Sequence, residues 1–468
     1  MALALELTPW RTQHSSTHSH ATHRRVIRFF DPMKKSLVVS LAVLFLINIL
    51  NFYDRNVAGA LAEPMKKEFD LTDAQIGWLG SAFLWIYAII GVPLGLMADR
   101  MKRKSLLIGG VIVWTVLTAM NAFAQNFTHL LIARMGVGLG EAVVAPAATS
   151  WIGDLVPTSK RARALALFML GVPVGGAMSY FFSGPIAQAF GWRTALVIAA
   201  LPAILLVPPL FFLREPERGA MDAPVTAAGG PRDSMWSVLK IPTLLWIIAS
   251  GALLNFNMYA YGTFTVSFLI RVHQQPLSRA GILTGVIMLT GGVAGGLIAG
   301  RIGDWIIQKR RDGRLLAAAL FALVGAPLAY FGVIQPNGSL TAAVALLALA
   351  YGSCNTYYGL VYSSIQEIVA PALRATTMSI YFMFMYMCGA SMGPLLTGAI
   401  SDWRAKVAAQ AAGSPVVAAV HKAVGLQEAM LMIPLLGLLL ALVLYAASRT
   451  ITRDIARRES LVVQTASV

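Results

Sequence analysis

Four residues of this sequence carry charge where their neighbours carry almost none. Asp54 and Arg55 lie well along an apolar run at 37–61, and Arg134 and Glu141 lie within another at 129–152. An ionisable side chain at the centre of a lipid-spanning helix costs ~2.5–3.5 kcal/mol on insertion scales, so each marks an ion or substrate pathway by default. Arg134 and Glu141 are seven residues apart, which puts them on one face of a helix, two turns from each other. Asp54 and Arg55 are adjacent and point about 100° apart, so the geometry predicts that each pairs elsewhere. Two acids and two bases balance, which makes their burial tolerable. The chemistry available to such a set is the exchange of ion-pair partners. Arg55 and Arg134 would hold an anionic group of a ligand, with Asp54 and Glu141 as proton-coupling carboxylates that compete for the arginines, so that protonation and anion binding are linked. A purely structural charge network is the competing reading.

The elements that must position these groups follow from composition. Of 468 residues, 57% are hydrophobic and 12% charged, and the mean hydropathy is +0.68; a soluble domain carries about 25% charged residues. A spanning helix needs ~20 mostly apolar residues, and twelve such windows follow one another from 37–61 to 428–448. An even number puts both ends on one side. Lys and Arg gather in alternate loops, at Arg100 to Lys104, Lys160 to Arg163, Arg214 to Arg232, Lys309 to Arg314 and Arg449 to Arg458, which marks that side as cytoplasmic by the positive-inside rule. The formal charge of +16 is therefore topogenic, and no segment is long enough to form a soluble basic face for nucleic acid. With the first span running outward and the fourth inward, Arg134 comes to roughly the depth of Asp54, and Glu141 lies deeper.

The longest hydrophilic stretch, 214–240, divides the chain into a bundle at 35–213 and a second at 241–450, with tails at 1–34 and 451–468. The first tail holds His14, His18, His20 and His23 without regular ligand spacing, and is read as disordered and cytoplasmic rather than metal-binding. Met33 is an alternative start. The halves repeat: Gly95 to Asp99 and Gly300 to Asp304 are both Gly-x-x-x-Asp before a basic loop, and Pro157 before Arg161-Ala162 matches Pro371 before Arg374-Ala375. Two parallel six-helix repeats are the pattern of secondary transporters, with a binding site near the midplane between them. The offset that carries Asp99 onto Asp304 carries Asp54 and Arg55 onto Tyr259 and Ala260, so the repeat does not demand the charge pair. The second half instead offers soft amphipathic side chains: Asn255, Tyr259 and Tyr261, then Tyr351, Asn355, Tyr357, Tyr358 and Tyr362, then Tyr381 to Met387. Tyr rings give apolar contact with a polar tip, which suits a ligand with one charged end and one apolar body.

The stretch Gly95-Leu-Met-Ala-Asp99-Arg100-Met-Lys102-Arg103-Lys104 resembles the loop signature G-x-x-x-D-R-x-G-R-R/K of the major facilitator superfamily, departing from it at Lys102. With Asn51-Phe-Tyr-Asp54-Arg55, Arg134-Met-Gly-Val-Gly-Leu-Gly-Glu141-Ala and Leu213-Arg-Glu-Pro-Glu-Arg-Gly219, the chain is most similar to the Spinster branch, although Met135 stands where that branch usually has Gly. Gly77 to Phe83 is also similar to the neighbouring organic anion branch. The resemblance implies an all-α membrane protein of twelve helices in two pseudo-symmetric bundles, working by alternating access. Gly95, Asp99, Arg100, Arg103 and Lys104 would form a cytoplasmic gate motif, with Asp99 pairing across the helix interface when that face is closed.

No Gly-Lys dipeptide or His-Glu-x-x-His occurs, which argues against ATP drive and against a zinc hydrolase. Cys354 and Cys388 sit in apolar stretches and imply neither metal nor redox chemistry. The expectation is a monomeric, proton-coupled transporter of the plasma (inner) membrane without a cofactor, with Arg55, Arg134, Asn255, Tyr259, Asn355 and Tyr358 on the substrate. What the Spinster resemblance implies is an amphiphilic anion or zwitterion such as a lysophospholipid; aromatic carboxylates or sugar acids are the alternative. A channel or receptor suits the two-fold repeat less well.

Overall fold

A computed structural model describes residues 32–218, 220–221, 235–369 and 373–466, all of whose regular elements are helical. The histidine-bearing tail and most of the hydrophilic stretch between the halves lie outside the described residues. Twelve helical spans cross the apolar width: α1 (Leu37–Ala60), α2 (Asp73–Gly91), α3 (Arg103–Asn121), α4 (Phe127–Leu155), α5 (Arg163–Phe190), α6 (Trp192–Phe212), α7 (Pro242–Arg271), α8 (Leu277–Ile307), α9 (Gly313–Val333), α10 (Asn337–Ile368), α11 (Thr376–Ala411) and α12 (Ala419–Ser460). Each expected window is occupied. The last two are longer than hydropathy predicts, because their ends run on as amphipathic helix beyond the apolar width.

Large apolar side chains face outward along most spans, among them Phe123, Leu205, Phe212, Leu320 and Leu442, all more than half exposed. That is the surface of a protein solvated by lipid. The two halves meet along α2 against α11 and α5 against α8, and their closest backbone approaches gather toward one end. A Cβ on Gly77 would lie 2.4 Å from the carbonyl oxygen of Pro394, and one on Gly398 would lie 2.2 Å from that of Asp73, so glycine permits backbone contact there. Gly184 and Gly281 play the same part between α5 and α8. Toward the opposite end, Gly91 and Gly95 of the second helix and Gly296 and Gly300 of α8 have no atom within 4 Å of where a Cβ would stand. The halves are sealed at the end where α1 finishes and splayed at the end where it begins.

Charge closes the sealed end. Arg271, the last residue of α7, forks onto Asp73 with both contacts at 2.8 Å and also reaches Glu63, Nε to Oε1 at 2.9 Å. Lys66 pairs with Asp73 from the other side, and Ser401 donates to it at 2.6 Å. Asp402 of α11 accepts from the backbone N–H groups of Asp73 and Ala74 at 3.0 and 2.8 Å. A carboxylate of one half thus caps the first turn of a helix of the other, where the helix dipole favours negative charge. Half-buried paired charges of this kind hold more than exposed ones do. With Cys354 and Cys388 replaced by Ala, a cysteine at Ser81, which is buried just inside this seal, should react slowly with an impermeant maleimide. Adding Arg271→Ala or Asp402→Ala should raise that rate several-fold, and an unchanged rate would show that the charges do not hold the seal.

Candidate functional site

The four charges predicted to matter converge at the inner faces of α1 and α4. Asp54, Arg55, Arg134 and Glu141 are 3%, 7%, 4% and 0% exposed, so none is neutralised by bulk water. Arg55 Nη2 lies 3.4 Å from Glu141 Oε2. Its guanidinium carbon stands 4.4 Å from the ring centre of Tyr87, 4.6 Å from that of Phe52 and 5.4 Å from that of Phe83. A planar, weakly hydrated cation is the group that such a cage suits. Asp54 does not pair with Arg55; it accepts from Thr118 Oγ1 of α3 at 2.5 Å. Arg134 does come to the depth of Asp54, but both its terminal nitrogens donate to backbone, to the carbonyls of Asp54 and Arg55 at 3.2 Å each. It fastens α4 to α1 at the turn that carries the other two charges, and of the two arginines expected to hold an anion, Arg55 is the one that faces the other half.

That other half meets Arg55 through Tyr259 of α7, whose hydroxyl lies 3.5 Å from Nη1. Tyr386 of α11 packs edge-on against Tyr87, 5.3 Å between ring centres, and against Tyr259 at 6.5 Å. It sits on a π-helical turn, Met385–Ala390, where one extra residue per turn re-aims the side chains, a device common at functional sites. Beyond it runs a chain of rings, Tyr358 to Tyr362 at 5.6 Å and Tyr362 to Tyr381 at 5.5 Å. Tyr358 donates to Asn255 Oδ1 at 3.1 Å. Several expected members point elsewhere. Tyr261 packs against Tyr351 with tilted rings, 5.6 Å between centres, within the core near the seal, Tyr357 shares a hydrogen bond with Ser250 at 2.8 Å, and the Asn355 amide bonds its own helix at Tyr351 O. The rings of Phe52, Phe83 and Tyr87 and the hydroxyl of Thr118 were not anticipated; Phe52 stands three residues before Arg55 on α1, but Phe83, Tyr87 and Thr118 lie on helices that carry none of the four charges.

Unmet valence marks this centre. Asp54 Oδ1, Arg55 Nε, Arg134 Nε and Glu141 Oε1 are all sealed from solvent without a hydrogen-bond partner. A buried polar atom left unpaired costs about 1–3 kcal/mol, so the arrangement holds capacity for a ligand oxygen, a proton or a change of partners. Among the described residues no group of three or more His, Cys, Asp or Glu is placed to hold a metal ion.

The gate motif is seen here with its end of the molecule open. Arg103 is wholly buried and pairs inside its own half, with Asp154 and with Glu215 at 3.0 Å. The Glu215 carboxyl is desolvated, yet its hydrogen bonds from Arg103 and Lys104 hold it below the usual carboxylate range. Lys104 donates to the carbonyls of Phe211 and Leu213 at 2.7 and 3.0 Å, at the end of α6. Arg100 is exposed and Gly95 faces open space; the side chain of Asp99 is outside the described set. With this end of the molecule splayed, Arg103 and Lys104 brace their own half.

Residues 44–394 match the Major Facilitator Superfamily. An MFS-type efflux pump of Mycolicibacterium smegmatis is 30% identical over 367 residues, 78% of this chain and 84% of that protein. Protein spinster homolog 3 of Danio rerio is 28% identical over 386 residues, 78% of this chain and 76% of that protein. A solved bacterial homolog of the human lysosomal transporter Spinster, inward-facing and unoccupied, has a TM-score of 0.81 at 27% identity and covers 90% of this chain and 98% of its own. A D-xylose-proton symporter, with a TM-score of 0.67 at 16% identity over 87% of this chain and 97% of its own, shares the fold alone. The chain belongs to the major facilitator superfamily of transporters. Within that superfamily it falls in the Spinster branch.

Removing one member of a buried ion pair typically costs about 3–5 kcal/mol, whereas removing both is often nearly neutral. Arg55→Met should therefore lower the melting temperature clearly, and Arg55→Met/Glu141→Leu should recover much of that loss. Additive losses in the double variant would show that the two residues do not act as a pair.

Proposed function

We propose that this transporter is a proton-coupled secondary carrier of an amphiphilic anion or zwitterion, with a lysophospholipid as the representative substrate. The observation that carries the reading is the asymmetry of the centre. One half presents a buried guanidinium with a free Nε, and the other presents a wall of tyrosines with few competing charges. An anionic head on Arg55 and an apolar body along Tyr259, Tyr358 and Tyr362 would use both. Chains related by name to Spinster, among them the bacterial homolog of a human lysosomal transporter, support the same class.

Coupling then follows from partner exchange. A substrate oxygen that takes Arg55 leaves Glu141 without its cation, and a carboxyl in a medium that cannot solvate its charge binds a proton in compensation. Asp54, hydrogen-bonded to Thr118 and an electrostatic neighbour of Glu141, is the second carboxyl of the same relay. Arg134 holds both acids in register through the α1 backbone. The positive-inside rule supports reading the splayed end as cytoplasmic; on that reading the carrier faces inward in the plasma (inner) membrane with both termini cytoplasmic, and alternating access is a rocking of the bundle at 35–213 against that at 241–450.

The test is proton-gradient-driven flux of labelled lysophosphatidylcholine in proteoliposomes, beside labelled 4-hydroxybenzoate and glucuronate. Gradient-dependent movement of the lysolipid is expected, and Asp54→Asn should abolish the gradient dependence while sparing substrate binding. Movement of a small carboxylate alone would pass the substrate class to the organic anion reading, and unchanged gradient dependence in Asp54→Asn would sink the coupling assignment.

A further inference from the structure

The two halves carry equivalent charge clusters at the splayed end, and they differ by one sign. In the first half Arg103, opening α3, meets Asp154 near the end of α4 and Glu215 just past α6, and Arg161 follows Asp154 by seven residues. In the second half Arg314, opening α9, meets Glu367 near the end of α10, and Arg374 follows Glu367 by the same seven residues. Where the first half then supplies the carboxylate of Glu215, the second supplies Arg458 from the end of α12, which donates to the Glu367 backbone carbonyl at 2.8 Å. The first cluster holds two arginines and two carboxylates; its counterpart holds three arginines and one.

The counterpart also borders an open cleft. Arg314, Ser363, Gln366, Glu367, Arg374 and Arg458 line a cavity of about 340 Å³, and the Nε of Arg374 is sealed from solvent with no hydrogen-bond partner. The Nε of Arg161 in the first half is left the same way, so what sets the second cluster apart is its charge: two surplus positive charges line one cavity and lack the second carboxylate that the chain itself supplies in the other half. Guanidinium forks match the geometry of a tetrahedral oxyanion, and a phosphate monoester carries about −1.5 to −2 at neutral pH, which offsets the surplus.

We propose that this cavity, between the ends of α9, α10, α11 and α12, binds a phosphate-bearing anion that completes the cluster. The anion takes the place that Glu215 fills in the first half and ties together four helix ends that would otherwise repel. The site is separate from the central charge set and does not depend on what the protein carries.

Full-length protein purified without phosphate is titrated with radiolabelled inorganic phosphate in one arm. In the other it is examined by intact-complex mass spectrometry with short-chain phosphatidic acid, against phosphatidylcholine. One saturable site per chain is expected for at least one of the two anionic probes, weakened at least ten-fold by Arg374→Gln and by Arg458→Glu and unaffected by Arg279→Gln on the opposite face. Arg458→Glu supplies the missing carboxylate internally, so without phosphate it should melt no lower than the wild type, which keeps the test sound if Arg374→Gln fails to fold. Comparable binding of both probes assigns a soluble phosphate, and binding of phosphatidic acid alone assigns a lipid headgroup. Binding of neither probe, or binding that both substitutions leave intact, would overturn the proposal.

Discussion

The burial of a guanidinium and a carboxylate in a place that neither water nor lipid can solvate is the constraint from which the rest of this structure follows. Arg55 and Glu141 are each too costly to leave alone, so α1 and α4 must stay in register, and the structure spends Arg134 on two backbone carbonyls to keep them so. Thr118 of α3 anchors Asp54, drawing a third helix into the set. The aromatic cage of Phe52, Phe83 and Tyr87 around Arg55 shields the pair while leaving one edge of the cation toward the other half. The first bundle is rigid where its charges are.

The second bundle answers with groups that can be re-sorted at low cost. Tyr259 and Tyr386 reach Arg55 and Tyr87 through weak contacts, and Tyr386 does so from a π-helical turn, whose alternative pairing with ordinary helix lets a side chain be re-aimed. At the sealed end the joint is different: Arg271, Asp73 and Asp402 tie the halves with directional, charge-assisted bonds. A molecule closed by ion pairs at one end, open at the other and joined at the middle by soft rings has the mechanical parts of an alternating carrier. Opening the sealed end requires the same charges to find water or other partners.

Much of this was legible in the sequence because two physical signals are strong there. Apolar windows of membrane length located every span, and charges inside such windows located the centre, with Arg134 at the depth of Asp54 as the helix rise demands. The aim of a long side chain is not a sequence property. Arg134 and Arg55 read alike, yet one turns to backbone and the other to the boundary between halves. Tyr261, Tyr351 and Asn355 read as cavity residues and instead pack or bond within their own half. The sealing charges were illegible for another reason: Glu63, Asp73, Arg271 and Asp402 stand at helix ends or in the outer part of a long helix, where charge is ordinary, and only tertiary contact brings residues some 330 positions apart together. The gate motif shows the converse, since its spacing was recognisable while its partners, Asp154, Glu215 and the end of α6, were not.

The central claim is that substrate and Glu141 compete for Arg55, so that anion binding and proton binding are one event. The direct measurement is the change in free proton concentration when lysophosphatidylcholine is added to the purified protein in weakly buffered solution, with no membrane and no gradient. Proton uptake that saturates with ligand occupancy is expected in the wild type and should disappear in Glu141→Gln at equal occupancy. Saturable binding without proton uptake in the wild type would contradict it.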